Sequence, residues 1–105
     1  MIRHIVMFKL KDYPTEILKE KAALEVKNRL DQLPIQISFI KNYKAGIDTR
    51  KLEWSYDIVL QMDFRNMSEL DAYTIHPAHQ KFVVFNKDYS VSKVSVDYEI
   101  QDMDS

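Results

Sequence analysis

Three observations predict an α+β domain in which four antiparallel strands carry helices on one face. Four stretches, residues 2–10, 35–47, 54–64 and 91–100, alternate apolar and polar side chains with the period of a strand. Helical periodicity separates the first stretch from the second and the third from the fourth. At 105 residues the chain has length for one core and not for two.

The first strand, residues 2–10, sets His4, Val6, Phe8 and Leu10 on one face and Arg3, Ile5, Met7 and Lys9 on the other, so both faces carry apolar residues. Pro14 and Thr15 open a helix with Leu18, Ala22, Val26, Leu30 and Leu33 along one stripe, and Pro34 is expected to stop it. Residues 35–47 read as a second strand with Ile35, Ile37, Phe39, Tyr43 and Ala45 in one phase. It ends at Gly46 and the polar turn Asp48-Thr49-Arg50-Lys51, and its lysines suit an edge. Residues 54–64 read as a third strand with Trp54, Tyr56, Ile58, Leu60, Met62 and Phe64 on one face. Asn66 or Ser68 caps the next helix, with Glu69 or Asp71 completing a capping box and Leu70 paired with Tyr73 at i,i+3. His76-Pro77 breaks that helix, and Pro77 begins a further segment, residues 77–87, with His79, Phe82, Val83 and Asn86 on one side. Residues 91–100 form a last strand, setting Val94, Val96, Tyr98 and Ile100 against Lys93, Ser95, Asp97 and Glu99. Residues 1–100 are thus one domain, and 101–105 a short acidic tail.

The order β-α-β-β-α-β is the ferredoxin-like arrangement: a four-stranded antiparallel sheet with both helices on one face. Ile5, Met7 and Val59 then fall on the helix-free face, where a patch of that kind calls for a partner sheet, so a homodimer through the sheet faces is expected. Fifteen Lys and Arg against 16 Asp and Glu leave no electrostatic footprint for nucleic acid or an anionic membrane. Zero Cys removes thiolate nucleophiles, disulfides and zinc-thiolate sites. One glycine, Gly46, excludes a P-loop or a GxGxxG dinucleotide loop. The N-terminus lacks a signal-peptide core and no apolar run approaches the ~20 residues of a membrane span, so a cytoplasmic location is expected.

The opening Met1-Ile-Arg-His-Ile-Val-Met-Phe-Lys-Leu-Lys, the strand Tyr56-Asp-Ile-Val-Leu-Gln-Met-Asp-Phe64, the run Leu70-Asp-Ala-Tyr-Thr-Ile-His-Pro-Ala-His-Gln-Lys-Phe82 and the late Val96-Asp-Tyr98 resemble the stress-responsive A/B barrel (Dabb) family. The Tyr-x-x-His-Pro-x-His core is the most specific piece. The resemblance implies ferredoxin-like protomers that dimerise through their sheets into an α+β barrel. Family members include plant stress proteins, many bacterial proteins without an assigned role, and a plant polyketide cyclase that closes an aromatic ring without a cofactor.

The three histidines, His4, His76 and His79, set the chemical possibilities, since only their unperturbed pKa lies near neutrality. Phase places His4, Tyr73 and His79 on the inner side, where they converge on a pocket walled by Val6, Phe8, Leu60, Met62 and Phe85. There a neutral His79 takes a proton from a carbon alpha to a carbonyl, while Tyr73 orients the base or donates to the developing oxyanion. By resemblance to the cyclase members, Tyr73 and His79 fall on their catalytic tyrosine and histidine, and His4 on their first-strand histidine. The alternative for His4 and Tyr73 is that of amphipathic core residues. Where the cyclases carry a histidine in the third strand this chain has Ile58, and Ala22, Ala23 and Val26 stand where they place bulky aromatics, so the pocket differs in shape and polarity. His76 and Pro77 read as structural, a cap and a helix start. His76-x-x-His79 has the spacing of a metal pair, but Pro77 breaks its register and no third ligand is evident, so no metal is expected. No cofactor is implied. The first functional expectation is a cofactor-independent lyase, cyclase or isomerase acting on a small hydrophobic carbonyl compound. The alternative is a non-enzymatic stress-related or ligand-binding dimeric module, and the third is a cofactor-free oxygenase of the same fold.

Overall fold

One of the two inner strands of the sheet is β1 (Ile2–Leu10), which pairs antiparallel with β3 (Ile58–Phe64) on one side and β4 (Ser90–Glu99) on the other. β2 (Lys41–Ile47) adds to the far side of β3, giving the order β2-β3-β1-β4. The helices are α1 (Glu16–Leu30), a single turn α2 (Leu33–Gln36), α3 (Met67–Ile75) and α4 (Pro77–Asn86). This is the ferredoxin-like topology, seen in a computed structural model that describes residues 1–101; most of the expected tail, 102–105, lies outside the described residues.

Register explains the core. Val6 lies opposite Leu60 and Phe8 opposite Ile58, so the even-numbered residues of β1 and β3 share one face. That face meets Ala22, Ala23, Val26 and Leu30 of α1, Leu70 and Tyr73 of α3, and Phe82 of α4 in one buried cluster. The odd-numbered residues face the other way. Met7 lies opposite both Val59 and Val94, and Ile5 opposite Val96, with Met7 41% exposed on a face no helix covers.

Three boundaries differ from the sequence expectation. α1 is capped by Thr15, whose hydroxyl accepts from the Leu18 amide at 3.2 Å, and it ends at Leu30 with Asp31 as its last cap. Pro34 does not stop α1: it sits in the first turn of α2, where its missing N–H costs nothing and its fixed φ suits a helix start. Leu18 projects outward from the first turn while Ala23 joins the buried stripe. Because residues 33–36 are helical, β2 begins at Lys41 rather than at 35, and Ile35 is 74% exposed. β3 begins at Ile58 rather than at Trp54. Ile47, the last residue of β2, pairs with Ile58, so residues 54–57 have no strand of β2 to pair with. They begin inside a turn in which the Ser55 amide reaches the Leu52 carbonyl at 3.0 Å, and Trp54 stands 77% exposed despite its alternating pattern.

Of the two capping alternatives for α3, Asn66 is the one used. Its side chain accepts from the Glu69 amide at 3.0 Å, and Glu69 accepts in return from the Arg65 amide at 2.8 Å. Asp63 is the one fully buried carboxylate among the described residues. Arg3 binds it through Nε and Nη2 at 2.9 and 3.0 Å, and Asn42, at a positive φ of 51° on the irregular start of β2, donates to it at 2.7 Å. Burial works to raise its pKa, but the donors of Arg3 and Asn42 outweigh that and hold it below the ordinary carboxylate value.

Leu30→Ala is expected to lower stability by about 2–5 kcal/mol, because Leu30 is fully enclosed. Leu18→Ala should change it by about 0.5 kcal/mol or less; equal shifts in the urea midpoint would contradict this assignment of faces. Asp63, with a folded pKa below its unfolded value, contributes stability that is present above the unfolded pKa and lost as pH falls through the folded one. The urea midpoint is therefore expected to drop below about pH 4, and Asp63→Asn should flatten that acid dependence.

Candidate functional site

The site is assembled at the break between α3 and α4. Pro77 has no N–H to give to Tyr73, so the α3 ladder stops there and His76 serves both helices. Its own amide donates to the Tyr73 carbonyl at 3.1 Å, and its Nδ1 accepts from the Ala78 amide at 3.1 Å. The Ala78 amide is the group that a continuous helix would have given to the Thr74 carbonyl. That carbonyl instead accepts from His79 Nδ1 at 2.9 Å and from Gln80 Nε2 at 2.8 Å. A carbonyl only accepts, so His79 carries its proton on Nδ1 and presents Nε2 as a lone pair.

Around this fixed imidazole the rings close up. The Tyr73 and His79 centroids are 4.5 Å apart, and Tyr73 meets His4 edge-on at 5.8 Å and Phe64 at 5.3 Å. His4 is held from β4: its Nδ1 donates to Asp97 Oδ1 at 2.5 Å, across the register pair His4–Asp97. The three residues expected to converge, His4, Tyr73 and His79, thus all border one cavity of about 420 Å³.

The floor of that cavity is apolar, made by Val6, Phe8, Leu60, Phe82 and Val83, and its outer wall is the polar helix-side phase of β4 with Asn86 and Lys87. Val6, Phe8 and Leu60 line it as expected; Met62 and Phe85 do not. Met62 lies farther along β3, opposite His4, and is sealed in the core. Phe85 stacks on Tyr89 at 4.6 Å and takes the Arg29 guanidinium over its ring at 4.2 Å, so it is engaged by α1 instead of the cavity. Sequence reasoning missed Asp97, Lys93 and the Thr74 carbonyl. For the first two the signal was present: they share a phase in the last strand, and pairing with β1 turns that phase toward the helices. The carbonyl left no side-chain signal.

Electrostatics suit proton transfer. Burial lowers the His79 pKa below its ordinary 6.5, the Thr74 bond works against this, and the charges of Lys93 and His4 lower it further. Burial pushes the Tyr73 hydroxyl above its ordinary 10, so it stays protonated as a donor. Among the described residues no group of three His, Cys, Asp or Glu could hold a metal ion, and no helix is long and apolar enough to cross a membrane.

Comparison with known proteins follows the same lines. The family model described as the stress-responsive A/B barrel domain matches residues 2–100. No curated protein matches the chain. A dimeric protein of unknown function and ferredoxin-like fold from Bacteroides fragilis is 28% identical, with TM-score 0.82 over 94% of this chain and 95% of its own. A dimeric ferredoxin-like protein of unknown function from Thermobifida fusca is 27% identical, with TM-score 0.78 over 94% and 90%. A hydroxynitrile lyase from Passiflora edulis is 16% identical, with TM-score 0.77 over 97% and 94%, a likeness of fold.

In a proton–nitrogen correlation titration, His79 is expected to titrate below pH 6.5 and to show the Nδ1–H tautomer when neutral. Its neutral form contributes stability that is present above the unfolded pKa and lost as pH falls through the folded one. An Nε2–H tautomer would contradict the geometry.

Proposed function

The chain belongs to the stress-responsive A/B barrel domain family, and on that premise we propose that its cavity takes a small, largely apolar carbonyl compound on which His79 and Tyr73 move a proton without a cofactor. The observation that carries this reading is the bond from His79 Nδ1 to the Thr74 carbonyl, which sets a neutral imidazole beside an apolar floor with Nε2 as its basic atom.

In the proposed step, Nε2 takes the proton from the carbon alpha to the carbonyl, and the C–H electron pair moves into the enolate. The developing oxyanion is stabilised by the protonated Tyr73 hydroxyl. Return of the proton at another atom gives isomerisation. Attack of the carbanion on a second carbonyl of the same molecule gives ring closure, and expulsion of a beta substituent gives elimination. His4 packs edge-on against Tyr73 and, tied to Asp97, limits the play of that ring. We further propose a homodimer through the helix-free face, where Ile5, Met7, Val59, Val94 and Val96 lie together; the dimeric state of the two bacterial neighbours supports it.

Deuterium uptake alpha to the carbonyl, followed by NMR over a panel of small aryl and alkyl ketones in heavy water, tests the chemistry. His79→Ala is expected to lose about 10²–10⁴ in exchange rate, and His76→Asn, which keeps a capping acceptor, should retain most of it. Undiminished exchange in His79→Ala would end its role as base. Binding without exchange for every ketone would leave a ligand-binding module. For the dimer, sedimentation should give twice 12.5 kDa, and Met7→Lys should yield monomer because the ammonium would be desolvated between strands. A wild-type monomer at micromolar concentration would contradict the sheet-to-sheet pairing.

A further inference from the structure

Resting on the reading of the cavity as a small-molecule site, we infer that its ligand is an amphipathic carboxylate, with the acid group held at the β4 wall and the apolar body on Phe8 and Phe82. The charge lining the cavity is one-sided. Lys87 and Lys93 border it and no Asp or Glu does, although acids outnumber bases by one in the whole chain. Neither lysine has an ion-pair partner among the described residues, and the nearby carboxylate of Asp97 is occupied by His4.

Placement strengthens the point. Lys93 lies opposite Phe8 in the β1–β4 register, and Ser95 opposite Val6, so a cation and a hydroxyl stand directly beside the apolar floor. Lys93 is close enough to His79 for its charge to depress that imidazole. A third donor comes from Asn86, which is only 8% exposed and lines the cavity. Its Oδ1 accepts from the Ser90 hydroxyl at 2.8 Å, which leaves Nδ2 as the donor. Among the described residues no buried polar side-chain atom lacks a partner, so Nδ2, with no protein acceptor, keeps some accessible surface on a residue that borders the cavity. Two ammonium groups and a carboxamide N–H beside an apolar floor match a carboxylate on a hydrocarbon body, with which they form charge-assisted hydrogen bonds that a neutral ligand cannot offer.

The test uses octanoate, octan-1-ol and octylammonium, which share one apolar body and differ in charge, titrated into the full chain at about 20 mM salt and read by the His79 and Tyr73 NMR signals. Octanoate is expected to bind about tenfold tighter than octan-1-ol. Lys93→Gln should remove that preference while leaving octan-1-ol affinity within about twofold, and Lys21→Gln, on the outer face of α1, should leave it intact. Raising salt to about 200 mM should weaken octanoate alone. Equal binding of octanoate and octan-1-ol, tighter octylammonium, or an octanoate preference that survives Lys93→Gln would each overturn the inference while leaving the cavity as a small-molecule site. If none of the three probes moved the His79 or Tyr73 signals, the reading of the cavity as a small-molecule site would fall and the inference with it.

Discussion

One missing hydrogen-bond donor organises the site. Pro77 cannot continue the α3 ladder, and the residue before it is driven from helical to extended backbone, with His76 at φ −64° and ψ 137°. The amide of Ala78 then turns to the His76 ring, and the carbonyl of Thr74 is left without its helical donor. His79, one turn into α4, and Gln80 supply that carbonyl with donors in its place. The tautomer of the imidazole, its orientation against Tyr73 and the direction in which Nε2 points all follow from that substitution of one donor for another. A backbone group that belongs to a helix end holds the imidazole more rigidly than a second side chain would, because it has no rotamers of its own.

The two faces of the sheet divide the remaining work. On the helix side, β1 and β3 give up their even-numbered residues to the core, and the face turns polar at the edge strand β4 beside them. The cavity lies at that transition, with apolar residues below and hydroxyls, amide and ammonium groups beside it. On the other side, the Arg3–Asp63–Asn42 network lies at one end of the patch formed by Ile5, Met7, Val59, Val94 and Val96. A carboxylate with no exposure is tolerated there because three donors reach it, two of them from one guanidinium in the bidentate geometry that suits it.

The sequence was most legible where local pattern and tertiary environment agree. Alternation in residues 2–10 located β1 to the residue and assigned its faces, because both neighbours impose the same period. Thr15, Asn66 and His76 were readable as caps since a cap is a local hydrogen bond between residues two or three apart. The errors arose where a local signal had no partner to enforce it. Trp54 and Tyr56 alternate as well as Ile58 and Leu60 do, but β2 has already ended at the point where they would pair. Pro34 is compatible with either end of a helix, and only its position in α2 decides between them. In the site, Phe82 and Phe85 are both apolar and three residues apart on α4, close enough in phase for either to enter the cavity; the Arg29 guanidinium, distant in sequence, and the Tyr89 ring four residues on draw Phe85 away. Asp97 was legible as a phase and not as a contact, since no local rule states that β4 would be the neighbour of β1.

The polar wall contributed by β4 is also mechanically separate from the packed part of the cavity. Lys93 and Ser95 are exposed and take no part in the buried cluster, whereas His79 is anchored by a backbone carbonyl and Tyr73 by the packed rings around it. Replacing a residue of the wall therefore carries little cost to folding, and the anchored rings of His79 and Tyr73 stay where they are. A lineage that carries this scaffold can change that strand's surface with no compensating repair in the core.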